Sequence, residues 1–205
     1  VFQDGKRFIT GNRCDRPITG KYNDDTLNLY AYKQQQLSQL MKNPGTGTRG
    51  KIGIPMVLNM YELLPFWHAF FTNLGFQVIV SPFSNRKLYQ TGQGSIPSDT
   101  VCFPAKLTHG HIMALLKKDV AAIFYPCMSY NVDEGLGDNH YNCPVVAYYP
   151  EVLAGNIREL EDTKFIYEYL NLEQRKYFVR LMPKIMQKYY PDLKTSDIHN
   201  AIEVA

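Results

Sequence analysis

Four cysteines, Cys14, Cys102, Cys127 and Cys143, are the side chains of this sequence whose type and placement could do chemistry. They stand in Asn12-Arg13-Cys14-Asp15, Val101-Cys102-Phe103-Pro104, Tyr125-Pro126-Cys127-Met128 and Asn142-Cys143-Pro144. Four thiolates are the complement of a tetrahedral zinc or of a cubane iron–sulfur cluster. The spacings are long and hold no Cys-x-x-Cys pair, so spacing alone leaves metal ligation and inert buried thiols equally open. His140, three residues before Cys143, is a further candidate ligand or proton donor; its alternative is a plain loop histidine.

Other groups carry weaker signals. Tyr61, Glu62, Trp67 and His68 follow an expected strand at its ligand-facing end. Glu62 reads either as a general acid/base or as a first-turn acid facing a helix dipole, and Trp67 as core. Ser84-Asn85-Arg86-Lys87 reads as an anion site at a helix start or as a solvated face. Lys106 and His109 lie one turn apart on the helix after Cys102, where both could tune the charge of a bound group. His109 and His111 do not share a face, which argues against a paired metal site. Asp133, Glu134 and Asp138 form an acidic loop that reads as solvent-facing. No Ser–His–Asp or Cys–His constellation has persuasive spacing.

The elements that must position these groups follow from pattern. At 205 residues, 45% hydrophobic and 20% charged, the chain is globular and long enough for a sizeable core. A net charge of +3 without a Lys/Arg stripe is no nucleic-acid footprint. No apolar run has membrane-spanning length and no signal peptide is seen; cysteines without a secretory signal predict reduced thiols and a cytoplasmic location.

Phe2 and Phe8-Ile9-Thr10 read as a hairpin leading to Cys14, and 24–42 as a helix. Asn43-Pro44-Gly45-Thr46-Gly47-Thr48 is the strongest linker signal, predicting an N-terminal hairpin and helix segment at 1–48 and a second domain at 49–205. There, strands over 52–59, 77–81, 120–125 and 145–148 alternate with helices over 63–74, 84–89 and 104–118, and a short helix starts at 150–154. A helix over 172–190 with a kink at Pro183, and another over 197–204, close the chain. This alternation predicts an α/β, Rossmann-like, doubly wound fold with a largely parallel sheet and flanking helices. Cysteines at strand and helix ends then fall where such sheets collect ligands.

Several ordered motifs carry a family resemblance. Gly53-Ile54-Pro55, Leu58-Asn59-Met60-Tyr61-Glu62, Pro65-Phe66-Trp67, Val101-Cys102-Phe103-Pro104-Ala105-Lys106, Phe124-Tyr125-Pro126-Cys127 and Asn139-His140-Tyr141-Asn142-Cys143-Pro144 resemble a domain of unknown function in activase-related proteins of the 2-hydroxyacyl-CoA dehydratase system. The resemblance runs over about residues 5–155 and implies a dehydratase-subunit-like iron–sulfur domain. By motif position it implies Cys102, Cys127 and Cys143 as ligands of a [4Fe–4S] cluster, with Cys14 as the fourth or with one iron left open. It also implies activator-type ATPase domains in the same full-length chain, and acyl-CoA or a dehydratase as partners.

The segment 43–48 lacks the G-x-x-x-x-G-K-S/T order, so the ATPase is expected outside these residues and the chain reads as an inactive fragment of a larger protein. Two other readings stay open, a metal-free interaction module that positions a partner or acyl-CoA, and a structural zinc domain.

Overall fold

The computed structural model describes residues 27–205. Two compact units divide between Gln36 and Leu37, inside helix α1 (Leu29–Lys42), and the larger, Leu37–Ala205, holds the sheet. The expected N-terminal hairpin and Cys14 lie outside the described residues.

Strands β1 (Lys51–Ile54), β2 (Gln77–Val80), β3 (Ala122–Phe124) and β4 (Lys164–Ile166) form one all-parallel sheet in the order β2-β1-β3-β4. Ile52 and Ile54 of β1 and all of β3 are buried, as expected for inner strands covered on both faces. The chain moves from β1 to β2 in one direction and from β3 to β4 in the other. Right-handed crossovers therefore place helix α2 (Leu58–Asn73) on one face and α4 (Phe103–Leu116) and α5 (Pro144–Asn156) on the opposite one. α6 (Arg175–Tyr189) and α7 (Thr195–Val204) pack together, with α7 against α2, while α3 (Arg86–Gly92) packs on α4. The fold is the Rossmann-like, doubly wound α/β arrangement that the alternation predicts, with its switch point between β1 and β3.

The core is aromatic where α2 meets the sheet. Trp67, fully buried, sits 4.5 Å from the Phe124 ring and 5.9 Å from Phe70, and Phe71 lies 4.9 Å from Phe124. α2 stops where Gly75 takes φ 86°, a conformation that costs glycine little. On the other face α3 and α4 approach so closely that a Cβ on Gly110 would strike the backbone carbonyl of Leu88.

Several elements depart from the sequence pattern. β1 ends at Ile54, so Pro55-Met56-Val57 form a loop and α2 starts at Leu58, earlier than the periodicity indicates. The segment 145–148 is not a strand. It lies within α5, because Pro144 presets the first helical φ and Ala147, Pro150 and Leu153 recur at helical spacing on a buried face. The fourth strand is instead the three-residue Lys164–Ile166, too short to show a period. The segment 43–48 runs beside β2, where the Pro44 carbonyl accepts from the Val78 amide at 2.6 Å. α6 continues through Pro183, which is buried.

Candidate functional site

Three cysteines distant in sequence come to the carboxyl side of the sheet. Cys127 follows β3 by three residues, and its backbone is pinned to the chain after β4. Its N–H donates to the Glu168 carbonyl at 3.1 Å, and its own carbonyl accepts from the Leu170 amide at 2.9 Å. Cys102 and Cys143 are the N-cap residues of α4 and α5, both with φ −62° and ψ 152°, each followed by a proline in the first helical turn. Extended backbone at an N-cap turns the side chain across the helix start, where exposed N–H groups and the dipole favour a thiolate or a bound anion. Cys102 and Cys143 are exposed and Cys127 is buried.

Two tyrosines are coupled electrostatically to the thiols. Tyr125, two residues before Cys127, shares its side of the extended chain and is fully buried. Burial raises its phenol above the usual range, and Cys127 and then Tyr149 add to the rise. Tyr149 of α5 is raised by burial and next by Cys102. Cys102, Tyr149, Tyr125 and Cys127 are thus linked electrostatically in series.

Tyr149 is held from behind. Ser95 Oγ donates to the Gly92 carbonyl at 3.0 Å, so it accepts from His109 Nδ1 at 2.8 Å. That tautomer, assigned from the network, leaves Nε2 to accept the Tyr149 hydroxyl at 3.0 Å. His109 is fully buried, and burial lowers it from 6.5 to about 4, so it stays neutral. Above this relay lies an almost wholly apolar cavity of about 400 Å³, lined by Val101, Pro144, Val145, Tyr148, Tyr149 and Val152. Val101 and Pro144, the sequence neighbours of Cys102 and Cys143, thus line one cavity.

The surroundings of Cys127 differ. Burial pushes its thiol up to about 12; the Glu151 carboxylate adds to that, the Glu151 backbone N–H opposes it, and Glu168 adds again. Glu151 accepts from the Tyr169 hydroxyl at 2.7 Å, and this bond is the main cause that raises Tyr169 to about 12. Glu168 takes Lys188 at 2.6 Å and Tyr189 at 3.1 Å, and these groups line a polar cavity of about 260 Å³. A thiol in that setting is protonated at neutral pH unless a positive centre offsets the carboxylates.

Strain and unsatisfied polarity occur at this edge, though not only here: Trp67 Nε1, His68 Nε2 and the Tyr190 hydroxyl are also buried without partners, and Asp119 also has a left-handed φ of 51°. Leu58, directly after the β1 loop, has φ 46°, a left-handed conformation that a bulky residue rarely adopts. Asn59, 91% buried, makes no hydrogen bond from either amide atom, and the Tyr125 hydroxyl makes none. Each such group costs about 1–3 kcal/mol, and each is the kind of orphan that a ligand relieves.

The remaining sequence candidates fall as follows. Lys106 donates to the Asp99 carbonyl at 2.7 Å while His109 is interior, so the two do not face one group together. His111 lies between Ser81 (2.6 Å) and Ser84 (2.9 Å), away from His109's partners, with no shared metal site. His140 sits in the loop, 3.4 Å from Asp133. Because α2 starts at Leu58, Glu62 lies beyond its first turn, not in it as expected. The start of α3 is occupied by the Asn85 side chain, which accepts from the Leu88 amide. Among the described residues no three His, Cys, Asp or Glu side chains, the three cysteines included, are placed to hold one metal ion. A cubane spreads its thiolates wider than one ion does, and the thiolate-only donor set suits it. Sequence reasoning missed Tyr125, Tyr149, Asn59, Glu151 and Glu168; Tyr149 was hidden by reading 145–148 as a strand.

The class is that of parallel α/β domains with a switch point between two inner strands, and no described helix is long and apolar enough to cross a membrane. The family described as the CoA enzyme activase uncharacterised domain matches residues 51–205, and the chain belongs to it. No curated protein and no solved structure matches the chain.

Proposed function

We propose that this domain anchors an iron–sulfur cluster on Cys102, Cys127 and Cys143 for an activase-related protein whose ATPase lies elsewhere, serving electron transfer or dehydratase-like chemistry on an acyl-CoA. The observation that carries the reading is the arrival of three cysteines from three separate segments at one edge of a parallel sheet, two of them as N-caps of matching geometry. A bound cluster would supply electron storage. The protein's own contribution is to aim two helix starts at the thiolates, to couple Tyr125 and Tyr149 to them, and to hold Tyr149 through His109. A cationic cluster core would also offset the carboxylates that disfavour the Cys127 thiolate. Three thiolates leave a position for a fourth ligand. Cys14, the sequence candidate for it, lies outside the described residues.

Anaerobic reconstitution with iron and sulfide is expected to give stoichiometric iron and a broad absorption band at the blue end of the visible region. Cys102→Ser and Cys127→Ser should each reduce both. Unchanged iron content and spectrum in both variants would refute the ligand assignment.

A second reading is a metal-free interaction module that positions a partner or acyl-CoA. It is favoured by the exposed aromatic rings at this edge, Phe103, Tyr141, Tyr148 and Tyr169, which suit a protein partner. Anaerobically purified protein without stoichiometric iron or zinc, and failing to take up either, would decide for it.

A further inference from the structure

A groove between α6 and α7, about 640 Å³ in volume, shares no residue with the cysteine site. Tyr177, Arg180, Lys184 and Gln187 of α6 recur at helical spacing along one wall, with Thr195 and His199 of α7 opposite. α6 carries five basic residues and no acid. Two of those five are neutralised, Arg175 by Glu203 at 2.9 Å and Lys188 by Glu168 at 2.6 Å. Arg180 and Lys184, one turn apart and lining the groove, have no carboxylate partner among the described residues, and no acidic residue lines the groove.

Like charges at this spacing disfavour the helix, so stability does not explain them. A concave wall of one sign concentrates potential and draws an anion. The volume is in the range of small-ligand sites. Leu181 and Pro183 supply an apolar floor, and the Tyr177 ring stands half-exposed at the rim. Arg offers a planar fork to phosphate oxygens and Lys a point charge.

We propose that this groove binds a nucleoside diphosphate or a larger nucleotide, its phosphates held by Arg180, Lys184 and His199 and its base laid against Tyr177. With no carboxylate to hold Mg²⁺, the side chains themselves neutralise the phosphates, and binding occurs without hydrolysis. The inference is independent of cysteine ligation.

Calorimetric titration of the intact chain with ADP, with and without EDTA, tests it. Binding should persist in EDTA and weaken with added salt. The double variant Arg180→Glu, Lys184→Glu should weaken it by about tenfold or more, with the urea midpoint reporting that the fold is retained. Tyr177→Ala should weaken ADP binding but leave inorganic pyrophosphate binding unchanged. Absence of ADP binding, a requirement for Mg²⁺, unchanged affinity in the double variant, or pyrophosphate binding as tightly as ADP with no effect of Tyr177→Ala would overturn the proposal.

Discussion

Lowering the pH from 7 to 5 is expected to remove a large part of this protein's stability through two histidines that are buried neutral. His109 and His111 have no exposed surface, and burial lowers each from 6.5 to about 4. The unfolded chain titrates them near 6.5. Between those two values it therefore binds more protons than the native state, so stability is present above the window and is lost as pH falls through it. Integrated from pH 7 to pH 5 at about 1.4 kcal/mol per unit, the loss is about 2 kcal/mol for each histidine. Both together would cost about 4 kcal/mol from a total of roughly 5–15 kcal/mol. His68 moves in the same direction, its burial outweighing the backbone of Asn43 and Leu40, and adds to the loss.

Urea unfolding at intervals between pH 5 and 7 measures this directly, and glutamine variants isolate it. Gln at position 109 keeps a donor for Ser95 and an acceptor for the Tyr149 hydroxyl but does not titrate in this range. His109→Gln and His111→Gln should each flatten the pH dependence by about one proton, or about 1.4 kcal/mol per pH unit near pH 5. The variants are expected to be less stable than the parent at pH 7 and to lose less on acidification. Identical slopes in the parent and both variants would refute the reasoning, whatever the absolute stabilities. The prediction also reaches the cysteine edge, because protonated His109 can no longer accept from Tyr149.

Two further outcomes follow from the packing and electrostatics of the same face. Gly110→Ala should destabilise the protein by about 1–3 kcal/mol, because the new Cβ meets the Leu88 backbone and not a movable side chain; thermal unfolding reads this, and an unchanged midpoint would contradict the close approach of α3 and α4. In metal-free protein at pH 7, iodoacetamide should modify the exposed Cys102 and Cys143 well before the buried Cys127, whose thiol is pushed up to about 12, leaving a thiolate fraction on the order of 10⁻⁵; peptide mass spectrometry gives the order, and Cys127 reacting first would overturn the burial argument.

The parallel sheet was legible because β1 and β2 are apolar runs bounded by glycine, proline or polar residues, with an amphipathic stretch between them. The placement of Cys102 was legible for a local reason, since within a helix Pro104 is best tolerated in the first turn. The placement of Cys143 was half legible. Pro144 marks a boundary, but the run Val145-Val146-Ala147-Tyr148 has the composition of a strand, and its helix is decided by what α5 buries against α4. That competition also concealed β4, whose three residues acquire their identity only by pairing with β3. Tyr125 and Asn59 could not be singled out in sequence, because their significance is an absence of partners, and partners are a property of the folded chain.

The distribution of unfavourable features within the fold bears on the functional reading. The Trp67–Phe71–Phe124 core is closely packed but leaves Trp67 Nε1 without a partner, while His109 and His111, although interior, have both ring nitrogens hydrogen-bonded. The left-handed Leu58, the unsatisfied Asn59 amide and Tyr125 hydroxyl, and the thiol of Cys127 near two carboxylates fall beyond the carboxyl ends of β1 and β3. The left-handed residue and each unsatisfied group cost about 1–3 kcal/mol, whereas the Cys127 thiol carries a cost only when it must ionise. Costs at the carboxyl ends of β1 and β3 stand where a ligand of such a sheet would relieve them. A positive centre held by the cysteines would relieve the Cys127 carboxylate field, and a ligand in the β1–β3 crevice would supply partners for Asn59 and Tyr125. The same occupant would then account for the cysteines and the costs around them, so iron uptake should raise the urea midpoint as well as the absorbance.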